Sequence, residues 1–104
     1  MLIQVHTNHN DVNASELTTE VESVMTDVLG RFSSQITRLE VHLGDANSHK
    51  GGDNDKRCMI EARVENMQPT AVTHMAGNLS DAISGAADKM KRALDSSLGR
   101  LRDR

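Results

Sequence analysis

Two segments in the middle of the chain alternate between apolar and mainly polar positions. In segment 56–64, KRCMIEARV, every second residue from the cysteine onward is apolar, and two arginines, a methionine and a glutamate occupy the other side. Segment 36–43, ITRLEVHL, repeats the pattern. A period of two residues predicts β-strands with one apolar face. A sheet built from such strands needs cover on one face only, which favours a fold of two layers.

The rest of the chain predicts two further strands and two helices. Segments 2–7 and 70–75 alternate over the length of a strand. Apolar residues at helical spacing predict a first helix, capped by Asn13 and ending near residues 30–34, and a second helix that runs to the C-terminus. The predicted fold is an α+β two-layer sandwich in the order β-α-β-β-β-α, with a four-stranded sheet and both helices packed on one face. We expect residues 1–104 to form a single domain.

Aliphatic residues must build the core, because Phe32 is the only Phe, Tyr or Trp residue in the chain. This composition excludes the aromatic stacking platforms of many proteins that bind single-stranded nucleic acid. Cys58 is the only cysteine, so an internal disulfide is impossible. Its place in an alternating strand predicts a small buried hydrophobe rather than a reactive thiol. A lone cysteine also favours an intracellular protein.

The N-terminal segment, MLIQVHTNHND, lacks the basic and apolar regions of a signal peptide. No apolar run in the sequence reaches the length that spans a membrane. We therefore expect a soluble, cytoplasmic protein without membrane contacts. Between the second and third strands, segment 44–55 is polar and contains Gly51 and Gly52, which predicts a mobile loop.

Charge is distributed unevenly along a chain whose net charge is −3. Residues 8–27 hold five acids and no Lys or Arg, whereas residues 89–104 hold six Lys or Arg and two acids. The net charge argues against nonspecific binding of nucleic acid by the whole surface. The asymmetry nevertheless predicts one acidic and one basic side.

The basic residues group around the polar loop and along the last helix. Successive residues of a helix are rotated by about 100°, which places three of these cations on one flank of the last helix. The cations of the other flank lie beside Asp88 and Asp95. The less compensated flank suits phosphate, and with the cations of the loop it forms a phosphate-tracking surface if both face the same way. The alternative is a solvated helix face with ion pairs such as Asp88 to Arg92. The candidate RNA-binding residues are Lys50, Lys56 and Arg57 at the loop and Lys89, Arg92 and Arg100 on the helix.

The sequence predicts no catalytic, metal or cofactor site. His6, His42 and His74 can project from strands, but no pair of histidines has the i, i+4 spacing of a helical metal motif. We interpret them as ordinary surface histidines. The glycine pair of the loop is not followed by GKS or GKT, and no serine lies in a GxSxG motif. We therefore expect neither an enzyme nor a protein with a small-molecule substrate.

Several segments together resemble one known family. The strand and loop VHLGDANSHKGGDNDKRCMIEARVE at 41–65, the strand QPTAVTH at 68–74 and the helix NLSDAISGAADKMKRAL at 78–94 resemble, in order and spacing, the ribosome hibernation promoting factor family. This family is also known as ribosome-associated inhibitor A or the sigma-54 modulation protein family. The resemblance spans nearly the whole chain. Within the helix, DKMKRAL resembles the family's pattern of Asp, Lys, Leu, any residue and Arg.

The resemblance implies a domain that docks on the RNA of the small ribosomal subunit. There it would block the messenger and transfer RNA channel during stress or stationary phase. Lys89 and Arg92 match basic positions of the family's second helix, which implies contacts with ribosomal RNA phosphates. The chain resembles the short form of the family, without the C-terminal dimerisation domain of long forms, and we expect a monomer off the ribosome.

Two other functions stay open. The first helix carries Glu16, Glu20, Glu22 and Asp27 where family members often place basic residues. A diverged protein-interaction module, which kept the fold and no longer binds the ribosome, agrees with this difference. A generic double-stranded RNA binder shares the plan of a sheet and helices, but such domains begin with a helix, and this chain begins with a strand.

Overall fold

The computed structural model of the protein describes residues 1–7, 14–45 and 55–102. The predicted cap Asn13 and most of the predicted loop, residues 46–54, lie outside these ranges. The elements are β1 (Leu2–Thr7), α1 (Ala14–Leu29), a short 3-10 helix (Gly30–Phe32), β2 (Ile36–Asp45), β3 (Lys56–Val64), β4 (Thr70–Ala76) and α2 (Leu79–Arg102). The predicted order β-α-β-β-β-α is confirmed.

The four strands form one mixed sheet in the order β1-β2-β3-β4. β1 and β2 are parallel, with α1 in the crossover between them, whereas β2, β3 and β4 are antiparallel neighbours. The register places Val5, Val41, Ile60 and Val72 in one row across the sheet. This row belongs to the apolar face that the alternation predicts.

Both helices pack on that apolar face and contact each other, as predicted. α1 contributes Val21, Met25 and Leu29, which follow helical spacing and have 0% exposure. Phe32 is buried at the end of the following 3-10 helix. The buried residues of α2 are Ala82, Ile83, Ala86, Ala87, Met90, Leu94 and Leu98. One largely aliphatic core therefore joins both helices to one side of the sheet.

Asn78 determines where α2 begins. Its Oδ1 accepts a hydrogen bond from the backbone N–H of Asp81 at 2.8 Å, and its Nδ2 donates to Asp81 Oδ2 at 3.2 Å. The N–H of Ala82 then donates to the carbonyl oxygen of Asn78 at 3.1 Å. This reciprocal cap satisfies N–H groups that the first turn leaves without helical partners. In the described part of the chain, no helix combines the length and the hydropathy that a membrane crossing requires.

The second strand extends beyond Leu43, its predicted end, to Asp45. Gly44 pairs in register with Arg57, and Asp45 pairs with Lys56. The Lys56 ammonium donates a hydrogen bond to Asp45 Oδ1 at 2.7 Å. This cross-strand ion pair stabilises the pairing of polar residues at the end of β2 and the start of β3. The sequence pattern predicts the start of a loop there.

Cys58 lies in the core, as its place in the strand predicts. Its exposure is 0%, and burial raises the pKa of its thiol to about 12. Burial in an apolar environment disfavours the charged thiolate, so the fold accommodates the neutral thiol. The residue is therefore a packing residue of β3 rather than a nucleophile.

We expect this thiol to make the protein less stable in alkaline solution. The thiol of the unfolded chain ionises near pH 8.5. Below that pH the thiol is neutral in both states, and its burial contributes fully to the free energy of unfolding. The contribution is lost as the pH rises towards the folded pKa of about 12, by up to about 1.4 kcal/mol per pH unit. Urea denaturation at about pH 8 and about pH 10 measures the loss. Cys58→Ala should show a smaller pH dependence, and an equal dependence in both proteins would contradict this role of the thiol.

Candidate nucleic-acid interface

One flank of α2 runs along the outer edge of the sheet. β4 is the last strand of the sheet, and the Lys89 ammonium donates a hydrogen bond to the backbone carbonyl oxygen of Thr73 in this strand at 2.8 Å. Next to Thr73, the ring of His74 packs against Gly85, one helical turn before Lys89. These contacts show which side of α2 faces the β4 edge.

The opposite flank of α2 faces α1. An ion pair joins Arg31, just after α1, to Asp95 of α2, and the Ser80 hydroxyl donates a hydrogen bond to the Glu20 carboxylate of α1. Lys91 shares this flank because it lies one turn before Asp95. The acidic helix α1 therefore lies on the far side of α2 from the β4 edge.

Arg92 is an available cation on the flank beside β4. Its side chain is exposed, and in the described part of the chain it has no ion-pair partner. The ion pair with Asp88 that a solvated helix face predicts is thus not formed among the described residues. An exposed guanidinium offers a planar fork of donors to phosphate oxygens. Lys89, by contrast, must release its hydrogen bond to the strand edge before it can bind a phosphate.

The structure places one further sequence-predicted residue only in part and does not describe another. Arg100 belongs to α2, about 12 Å along the helix axis beyond Arg92, and its side chain lies outside the described set. Lys50 lies outside the described residues altogether. Both stay predictions.

Lys56 and Arg57 point to opposite faces of the sheet, because consecutive residues of a strand alternate. Lys56 lies on the helix side, where its hydrogen bond to Asp45 raises the pKa of its ammonium. It pairs with the end of β4, from which the chain turns into α2. Arg57 is exposed on the open face, away from the helices. The structure therefore places Lys56 near the start of α2 and separates Arg57 from the flank of Lys89 and Arg92.

Acidic side chains cover the exposed side of α1. Glu16, Glu22 and Asp27 are exposed, and the sequence of α1 holds no Lys or Arg. The acidic side that the sequence predicts is thus α1, and the cationic flank of α2 faces away from it. A phosphate that approaches along the β4 edge meets Lys89 and Arg92 without first passing the acids of α1.

A second group of cations lies on the open face of the sheet, and the sequence pattern did not reveal it as a group. Arg38 and Arg63 are cross-strand neighbours there. Each has an acidic partner on its own strand, with Arg38 3.1 Å from Glu40 and Arg63 3.8 Å from Glu61. These ion pairs compensate the two cations, so this face is a weaker candidate for phosphate than the α2 flank.

The open face also brings two histidines together. His6 and His42 pair in register on the parallel strands β1 and β2, and their rings stack with centroids 4.7 Å apart. The sequence interpretation considered helical spacing only. The sequence places both histidines on the polar faces of predicted strands, and this pattern was the available signal that they could lie together.

The chain matches one family of known proteins over almost its full length. The family described as sigma 54 modulation protein / S30EA ribosomal protein matches residues 3–102, from β1 to the end of α2. Among curated proteins, none matches the chain.

Solved structures share the fold. The Protein Y N-terminal domain from Thermus thermophilus has a TM-score of 0.71 and 18% sequence identity, with 92% of this chain and 98% of that chain covered. A ribosomal subunit interface protein from Coxiella burnetii has a TM-score of 0.69 and 12% identity, with 95% of this chain and 99% of that chain covered. At these identities the likeness shows the common α+β fold.

Proposed function

Because the chain belongs to the sigma 54 modulation protein / S30EA ribosomal protein family, a ribosome-associated family, we propose that it is a translation inhibitor that binds the ribosome. It docks on the ribosomal RNA of the small subunit and blocks the messenger and transfer RNA channel under stress or in stationary phase. The observation that carries this proposal is the family match over residues 3–102. The cationic flank of α2, which faces away from the acidic α1, supports it.

Electrostatic docking is the first step of the proposed mechanism. Folded RNA presents closely spaced phosphates, and cations that neutralise them release counterions. Arg92 contributes a planar fork of donors, and Lys89 contributes a flexible ammonium. Such contacts read the shape and the backbone of RNA rather than its bases. This agrees with a chain whose one Phe, Tyr or Trp residue, Phe32, is buried.

Steric occupation is the second step. A domain that sits in the RNA channel excludes messenger and transfer RNA for as long as it stays bound, so inhibition needs no bond to be made or broken. A continuous core that joins both helices to the sheet supplies the rigidity that a domain needs to block the channel. We infer a non-enzymatic factor.

Cosedimentation with purified ribosomal subunits tests the proposal. We expect the protein to sediment with small subunits at low salt and to inhibit translation of a reporter messenger RNA in a reconstituted system. Excess messenger and transfer RNA should displace it, because they compete for the same channel. Sedimentation without this competition would refute the blocking of the channel. A protein that stays at the top of the gradient would refute ribosome binding.

A second candidate function, a protein-interaction module that does not bind the ribosome, is favoured by the acidic exposed face of α1. Glu16, Glu22 and Asp27 repel phosphates and attract a basic protein surface. Under this function the protein stays at the top of the gradient at every salt concentration. The same experiment therefore separates the two candidates.

A further inference from the structure

We propose that the open face of the sheet carries a Zn²⁺ site formed by His6, Glu40 and His42. β1 supplies the first histidine, and β2 supplies the carboxylate and the second histidine. The site lies on the face opposite the helices, away from the α2 flank.

The donor atoms of the three side chains lie close together. His6 Nε2 is 3.4 Å from Glu40 Oε1, and His42 Nε2 is 3.9 Å from the same oxygen. One ligand atom from each residue lies within 4.8 Å of the other two. In a tetrahedral zinc site with bonds of about 2.0–2.1 Å, neighbouring ligand atoms are about 3.3 Å apart. Small side-chain movements therefore bring the three atoms onto one ion.

The two imidazole rings must turn to share an ion. They are nearly parallel, with an interplanar angle of 15°, whereas lone pairs that bind one ion have to converge. The terminal torsion of histidine is broad, so a ring can turn at little cost. The side chains of His6 and His42 are 50% and 42% exposed, which leaves them room for this movement.

The donor set suits Zn²⁺, which is commonly bound by neutral imidazoles and carboxylates. The other carboxylate oxygen of Glu40, Oε2, lies 3.1 Å from the guanidinium of Arg38. This contact holds the carboxylate in place and leaves Oε1 for the ion. Both histidines also line a hollow of about 220 Å³ with Arg57, Met59 and Thr73, so water can reach the two rings from that side.

A bound ion ties the edge strand β1 to the interior of the sheet. β1 is the first strand of the sheet, and its core-facing residues Ile3 and Val5 are only partly buried. The ligands come from two strands that are distant in the sequence, so the complete site exists in the folded chain alone. Zn²⁺ therefore binds the folded state preferentially and stabilises it.

Calorimetric titration of the metal-free protein with ZnCl₂ tests the site. We expect one ion per chain and a rise in the melting temperature as Zn²⁺ is added. Co²⁺ in place of Zn²⁺ should give the visible absorption of a tetrahedral site. Glu40→Gln and His42→Gln should each weaken Zn²⁺ binding by about tenfold or more and abolish the rise in melting temperature.

Glu61→Gln is the matched control. Glu61 is the cross-strand neighbour of Glu40 on the same face, and its replacement changes the net charge equally. We expect this variant to keep the Zn²⁺ affinity and the thermal shift of the unmodified protein. Equal losses of Zn²⁺ affinity in Glu61→Gln and Glu40→Gln would mean that negative charge on this face, rather than coordination by Glu40, attracts the ion. That result would overturn the site. Unchanged binding in His42→Gln, or no binding by the unmodified protein, would also overturn the site.

Discussion

Arg92→Glu should weaken binding to the small ribosomal subunit by about tenfold or more at low salt. Arg92 is exposed beside the β4 edge and lies outside the buried stripe of α2, so the change removes a cation without opening the core. A hydrogen bond between charged groups contributes about 1.5–3 kcal/mol, and the new carboxylate adds repulsion from phosphate. Equilibrium binding of the labelled protein to purified small subunits measures the loss.

The salt dependence of the same binding gives a sharper test. For the unmodified protein, log affinity should fall linearly with log salt, with a slope of about −2 to −4 for the three or four phosphate contacts that Lys89, Arg92, Lys56 and the predicted Arg100 can make. Arg92→Glu should reduce the magnitude of the slope by about one, because one contact is lost. An unchanged affinity and slope, with helix content preserved, would show that this flank is an ordinary solvated helix face.

Lys91→Glu is the matched control for Arg92→Glu. It makes the same change in charge one position away, on the flank that faces α1, and should therefore weaken binding much less. Equal losses in the two variants would mean that net charge, rather than the position of the cation, controls binding. Lys89 is less suitable for this test, because its ammonium also covers the carbonyl oxygen of Thr73. Its replacement would mix a structural effect with an electrostatic one.

The strands could be predicted where apolar and polar residues alternate, because alternation is a local pattern of the sequence. Alternation alone predicts strands at 2–7 and 56–64, and the structure has β1 and β3 at these bounds. The end of β2 could not be predicted in this way. Gly44 and Asp45 have no apolar signal and belong to the ladder because β3 pairs with them. Such contacts depend on residues that are distant in the sequence.

The candidate interface could be predicted only in part. The regular geometry of a helix separates the flank of Lys89 and Arg92 from that of Lys91 without any knowledge of the fold. Which flank faces the acidic α1 depends on how the helices pack, and no local pattern encodes it. The stacking of His6 on His42 depends in the same way on the register of two parallel strands. Both features became visible only with the sheet assembled.

Gly85→Ala should destabilise the protein by about 1–3 kcal/mol, although alanine is the stronger helix former. Gly85 lies within α2 where the helix backbone approaches the ring of His74 on β4. An added methyl group would overlap Cδ2 and Nε2 of that ring and lie 2.6 Å from its Cγ. The gain in helix propensity is about 1 kcal/mol, so we expect the overlap to dominate. Urea denaturation of the variant and the unmodified protein measures the difference.

Gly99→Ala is the matched control in the same helix. A methyl group at this position meets nothing within 4 Å, so helix propensity alone acts and the variant should gain about 0.5–1 kcal/mol. His74→Ala removes the ring, and in that background Gly85→Ala should become stabilising as well. If Gly85→Ala stabilises the unmodified protein as much as Gly99→Ala does, α2 does not approach β4 closely at His74. The flank of Lys89 and Arg92 would then be held beside the sheet edge only by the hydrogen bond from Lys89 to Thr73.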